Sequence, residues 1–182
     1  MKRRLGGIVV VLCCSMLAGC YQKSSENGSL VYTFQPWLPV LVAVAGVAAV
    51  PIGILIFMRS KKRSWGVTLF ILGPLAAGVI APTLYLDRVV VSQNSFFSRH
   101  GFWWNPTVHQ IPYDELKLVR VGAEERNSRR GKTYNYYFDC QFKSGKQDRV
   151  PLGDVMQEAL PDIIEQFQLH GVSVEVPPNL PK

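Results

Sequence analysis

The chain has 182 residues, 48% of them hydrophobic, and a formal net charge of +7, which allows one ordinary domain or a few membrane segments carrying a small one. The excess charge is confined to one half. Residues 1–86 hold eight basic residues against a single acid, Glu26, whereas residues 87–182 hold twelve of each sign; a nucleic-acid footprint needs positive charge clustered on the folded domain, so nucleic acid is not expected as a partner.

In chain order, Lys2, Arg3 and Arg4 precede the apolar run Leu5–Leu17. That run is short of the ~20 residues a helical span requires, and a charged start, a short apolar stretch and small residues at its end describe a secretory signal. Its end, Leu17-Ala18-Gly19-Cys20, resembles the lipobox of bacterial lipoprotein precursors. The resemblance implies that residues 1–19 are removed as a signal peptide and that Cys20 receives diacylglycerol and becomes the new N-terminus; the alternative is an uncleaved signal anchor with Cys20 as an ordinary thiol. Processing would discard Cys13 and Cys14 and leave Cys140 as the one free thiol, so no intrachain disulfide framework is expected.

A polar segment, 20–35, leads to Pro36–Met58, which carries no charge, and Trp65–Leu86 is a second uncharged run after the loop 59–64, RSKKRS. Both have the length of a membrane span and neither offers a polar face. Ala45, Ala49, Ala77 and Ala81 are spaced to let two helices approach, Pro51, Pro74 and Pro82 mark bends, and Trp37, Trp65 and Tyr85 fall at span ends, where interfacial aromatics sit. Arg59, Lys61, Lys62 and Arg63 crowd the connecting loop. Positive loops stay cytoplasmic, which puts Cys20 and everything from Asp87 onward outside, at the periplasmic face if the cell has two membranes.

Residues 87–182 change character. Tyr134, Tyr136, Phe138, Cys140 and Phe142 alternate with Asn135, Asp139 and Gln141, the pattern of a half-buried antiparallel strand; Cys140 then lies on the packed face as an inert thiol. Further strands are expected at Arg88–Gln93, Ser95–Trp104 with a bend at Arg99–Gly101, Thr107–Ile111, Leu116–Ala123 and Gln147–Pro151, with Asp114 and Glu115 as turn residues. Val155, Ala159, Ile163 and Phe167 recur every four residues and predict a helix. Because Pro161 is unfavourable inside a helix, the pattern predicts a short turn from Asp154 and a main helix beginning at Pro161. Gly171 ends it, and Val172–Val176 supplies an edge strand. The fold class is α+β: about six strands closed by one C-terminal helix behind a two-helix transmembrane hairpin.

The runs SFFSRHGFWW, HQIPYDELKLVRV and PDIIEQFQLHGV resemble bacterial pleckstrin-homology-like domains, which often follow a pair of spans. The resemblance implies a bent antiparallel sheet capped by the C-terminal helix and a non-enzymatic binding or assembly module. It does not imply phosphoinositide binding, because the first turn is Gln93-Asn94-Ser95 rather than a basic hairpin.

No nucleophile elbow, phosphate loop or dinucleotide fingerprint is present, and His100, His109 and His170 are scattered, so no catalytic residue, metal site or cofactor is expected. Two groups stand out as binding candidates. Trp103 and Trp104, next to Phe102, must leave at least one ring uncovered, with core packing accounting for the other two. Arg126, Arg129, Arg130 and Lys132 form a basic hairpin tip, either solvated or touching anionic headgroups. The expected partners are membrane lipid, a protein, or a second copy of the chain. The other readings are an accessory subunit of a larger membrane complex and an enzyme acting on envelope lipids.

Overall fold

The computed structural model describes residues 21–59, 63–128 and 131–176; residues 1–19, Cys20, Lys61, Lys62, Arg129, Arg130 and the tail from 177 lie outside them. The described chain divides into two compact units. One contains the helices of residues 34–85; the other joins Lys23–Thr33 to the chain from Leu86 onward.

Two helices, α1 (Trp37–Arg59) and α2 (Arg63–Leu86), are each long and apolar enough to cross a membrane. At 1.5 Å per residue either reaches about 35 Å, against a hydrocarbon core of about 30 Å. Apart from Thr68 and the polar residues Arg59, Arg63 and Ser64 at the connecting ends, their exposed side chains are apolar, among them Val44, Val47, Leu55, Phe70 and Leu72. Besides Pro39 and Ala81, the buried positions are glycines: Gly46 and Gly53 on α1, Gly66 and Gly73 on α2. A methyl group on Gly53 would stand 2.8 Å from the Gly66 carbonyl oxygen, and one on Gly73 would stand 3.2 Å from the Ala49 Cβ. The close approach expected at alanines is therefore made by glycine, with Ala49 and Ala77 beside it.

Pro51 stays inside α1, and α2 widens into a π turn over Ala76–Ile80, between Pro74 and Pro82. Pro82 has no N–H to donate and its ring crowds the preceding turn. The wider turn makes room, with the Ala81 N–H on the Ala76 carbonyl, and the Thr83 hydroxyl donates to the Val79 carbonyl at 2.7 Å.

The second unit has two sheets. The first has the order β1-β2-β3-β4-β5, formed by β1 (Tyr21–Glu26), β2 (Ser29–Phe34), β3 (Arg88–Val91), β4 (Ser95–Phe102) and β5 (Asn105–Pro112). The second has the order β8-β7-β6-β9, from β6 (Leu116–Ser128), β7 (Gly131–Phe142), β8 (Gln147–Pro151) and β9 (Ser173–Glu175). All pairings with recorded register are antiparallel except β6 with β9, where Leu118 lies beside Ser173. Among the described residues neither sheet closes on itself.

The polar segment ahead of the first helix is a hairpin. Asn27 and Gly28 take positive φ of 50° and 78°, as an Asn-Gly turn between twisted strands requires. Strand β2 then pairs with β3, Leu30 opposite Val91 and Thr33 opposite Arg88, so the helical pair is an insertion between two neighbouring strands.

One helix, α3 (Asp154–Leu169), packs against this unit and runs straight through Pro161, where the sequence suggested a break. Pro161 and Gln157, whose carbonyl loses its helical donor, are both exposed. Val155, Ala159, Ile163 and Phe167 keep one continuous buried stripe on the opposite face. The core is an aromatic cluster contributed by both sheets and the helix. Phe167 makes edge contacts to Phe96 at 5.9 Å, Tyr113 at 5.6 Å and Phe138 at 5.8 Å between ring centroids. Lys23 on β1 reaches Asp162 on α3 at 2.7 Å. Cys140 is fully buried, and burial, with smaller contributions from Asp148 and Asp139, pushes its thiol up to about 12.

Candidate functional site

Strands β4 and β5 are joined by the two-residue turn Trp103-Trp104, with Phe102 opposite Asn105. Gly101, opposite Pro106, takes a φ of +96° just before the turn, a backbone state that glycine enters without a Cβ penalty. The hairpin outruns its neighbour: the last β3 residue in the ladder is Arg88, opposite Arg99, so Phe102 lies three residues beyond it, about 10 Å at the rise of a strand. Core packing therefore covers none of the three aromatics. Phe102 is 54% exposed, Trp103 45% and Trp104 54%. They pack on one another instead, Phe102 stacked on Trp104 at 4.8 Å and Trp103 edge-on to Trp104 at 5.4 Å.

At the base of this tip the outer face of the first sheet carries the row Thr33, Arg88, Arg99, Val108, each directly opposite the next. Two like charges facing across a ladder repel. Among the described residues no acid forms an ion pair with either arginine. The Arg88 guanidinium rests 5.6 Å from the Phe97 ring centroid.

The inner face at the same level is polar too. Ser98, 1% exposed, lies opposite His109; its Oγ and the His109 Nε2 are buried without a hydrogen-bond partner. His109 stacks on His100 at 5.8 Å and its Nδ1 lies 3.8 Å from Asp148. Burial, then His109, lowers the pKa of His100. Burial, then Asp154, raises that of Asp87 to about 6. Scattered in the sequence, His100 and His109 are brought face to face by the two-residue turn at Trp103-Trp104. The space beside Asp87, Ser98, His100 and Met156 is only about 10 Å³, room for one water and no substrate. Among the described residues no group of three or more His, Cys, Asp or Glu is placed to hold a metal.

The basic residues fall on a different hairpin. The β6–β7 ladder continues through Arg126 opposite Thr133, Asn127 opposite Lys132 and Ser128 opposite Gly131, so both strands run further than expected; Arg129 and Arg130 lie outside the described residues. This hairpin belongs to the second sheet and the aromatic tip to the first. Of the loop residues, Arg59 ends α1 and Arg63 begins α2, its guanidinium 5.7 Å from the Phe57 ring centroid.

Comparison with known protein families, with curated proteins and with solved structures finds no match. The site is thus defined by its own geometry: an exposed aromatic tip above two cross-strand arginines.

Proposed function

We propose that this is a membrane-anchored, non-enzymatic protein that presents a pleckstrin-homology-like binding module at the outer face of a bacterial cytoplasmic membrane. The carrying observation is the pairing of β2 with β3 around the helical insertion. Strands flanking a two-span hairpin can pair only on one side of a bilayer, and the basic loop at Arg59–Arg63 favours the cytoplasm for the other end. The order of three strands, three strands and a C-terminal helix after Leu86 supports the pleckstrin-like reading, with β1, β2 and the parallel β9 as departures. A lipid on Cys20 would fix the N-terminal hairpin to the same surface.

Topology is the test. A phosphatase that works only outside the cytoplasm, fused after Lys182, is active, and the same enzyme fused after Lys62 is inactive; the reverse pattern overturns the proposal. Labelled fatty acid enters the parent and not Cys20→Ala, and equal labelling of the two removes the lipoprotein part alone.

A further inference from the structure

The geometry points to an anionic-phospholipid site at the end of the first sheet, in which Arg88 and Arg99 hold a lipid phosphate and Phe102, Trp103 and Trp104 enter the bilayer interface. This rests on the reading that α1 and α2 cross the membrane.

Three observations carry it. The first is charge: two arginines face each other across a ladder, in a row whose other members are Thr33 and Val108, with no acid paired to either among the described residues. That arrangement is unfavourable until an anion sits between the guanidiniums, and phosphate accepts several charge-assisted hydrogen bonds at once. The second is the chemistry of the tip, since Trp and Phe, exposed and mutually stacked, are side chains that settle at the headgroup level.

The third is register. Thr33, opposite Arg88, is followed by the chain leading into α1, and Arg88 is preceded by the chain leaving α2. β4 runs toward this same end and its tip passes Arg88 by about 10 Å. The chain connections to both helices and the aromatic tip thus share one end of the sheet, with the arginines set back by the depth that separates phosphate from the acyl boundary, on the order of 5–10 Å. This is why lipid, rather than a protein, is the occupant.

The test uses the full chain with Trp37→Phe and Trp65→Phe, so that Trp103 and Trp104 alone emit, reconstituted in vesicles of phosphatidylcholine with or without phosphatidylglycerol. With brominated acyl chains the emission is quenched and blue-shifted, more strongly when phosphatidylglycerol is present. Arg88→Gln and Arg99→Gln each lower the ratio of docked to undocked tip roughly fivefold, and added salt acts in the same direction. Circular dichroism and the thermal midpoint confirm that each variant is folded. Solvent-like emission without bromolipid quenching overturns the site; so does emission shielded from aqueous quenchers but not quenched by bromolipid, which assigns the tip to a second copy or another protein. Unchanged quenching in both arginine variants removes the phosphate clamp. A companion chain with Trp103→Phe and Trp104→Phe reports Trp37 and Trp65. If that pair is quenched and the tip is not, the site fails while the spans stand; if that pair is not quenched either, the spanning reading fails and takes the site with it.

Discussion

Gly46 and Gly73 face each other so closely that a methyl group on either would stand 2.6 Å from the carbonyl oxygen of the other. Alanine gains up to about 1 kcal/mol over glycine in a helix interior, but overpacking a tight contact against backbone costs about 1–3 kcal/mol, so the second effect wins. Gly46→Ala and Gly73→Ala should therefore push α1 and α2 apart, whereas Gly78→Ala, where a methyl meets nothing within 4 Å, should not. Electron spin resonance distances between labels at Val47 and Leu72, in a background without native cysteines, check this; an unchanged distance in Gly46→Ala would show the seam to be compliant.

Trp104 and Phe167 make opposite predictions. Trp104 is mostly exposed and Phe167 fully buried among three other rings. Trp104→Ser should leave thermal unfolding of the detergent-solubilised chain within about 0.5 kcal/mol of the parent, while Phe167→Ala should cost about 3–5 kcal/mol. A large loss in Trp104→Ser would mean that the tip is structural.

Gly122 sits opposite Tyr137, whose ring lies where a Gly122 side chain would go, and the Arg149 guanidinium stacks on that ring 4.1 Å from its centroid. In a double-mutant cycle Gly122→Ala should destabilise the parent by about 1 kcal/mol, because the ring must leave the strand. In a Tyr137→Ala background the same change should be neutral or stabilising, since glycine weakens a strand interior. Additive effects would deny the contact any energetic weight.

Asp87 should give stability a pH dependence of definite sign. Its folded pKa of about 6 lies above the ordinary 3.8, so the folded state binds the proton more tightly and stability falls as pH rises between those values. Above about pH 6 the carboxylate is ionised in a partly desolvated place beside Asp154. Asp87→Asn should then be the more stable protein by roughly 1 kcal/mol after allowance for solvent screening, with the gain vanishing below 3.8. The lowered pKa of His100 gives the opposite slope below 6.5, so the measurement is the difference between the two proteins across pH, not either curve alone. A difference that is flat with pH would remove Asp87 as its source.

The sequence makes some features legible because a single period decides them. The apolar faces of β7 and α3 and the two long apolar helices follow from local pattern, and Cys140 is buried where alternation puts it. Other features depend on pairing that no local window contains. The β1–β2 hairpin was hidden by its polarity, Lys23-Ser24-Ser25-Glu26 on an edge strand, although Asn27-Gly28 is a strong hairpin signal. Gly101 suggested a bend two residues before a turn that has no turn-forming residue of its own, and the register that sets His109 opposite Ser98 has no local signal. The glycine seam repeats at seven residues on each helix and was overshadowed by alanines at four. Arg88 and Arg99 are eleven residues apart in sequence, and only their register makes them a pair.

The Ser29 and Ser92 hydroxyls, 63 positions apart in sequence, meet at 3.1 Å across a stretch that contains both helices. Under the membrane reading, this contact and the ladder beside it become a checkpoint in biogenesis. The N-terminal hairpin reaches the outer face first and has no edge to add to until the second helix has crossed and delivered Arg88–Val91. A chain whose second helix fails to cross leaves the two partners in different compartments, with the outward edge of β2 unpaired and open to aggregation or proteolysis. On that reading, completion of the first sheet would act as proofreading of helix insertion, performed by the fold itself.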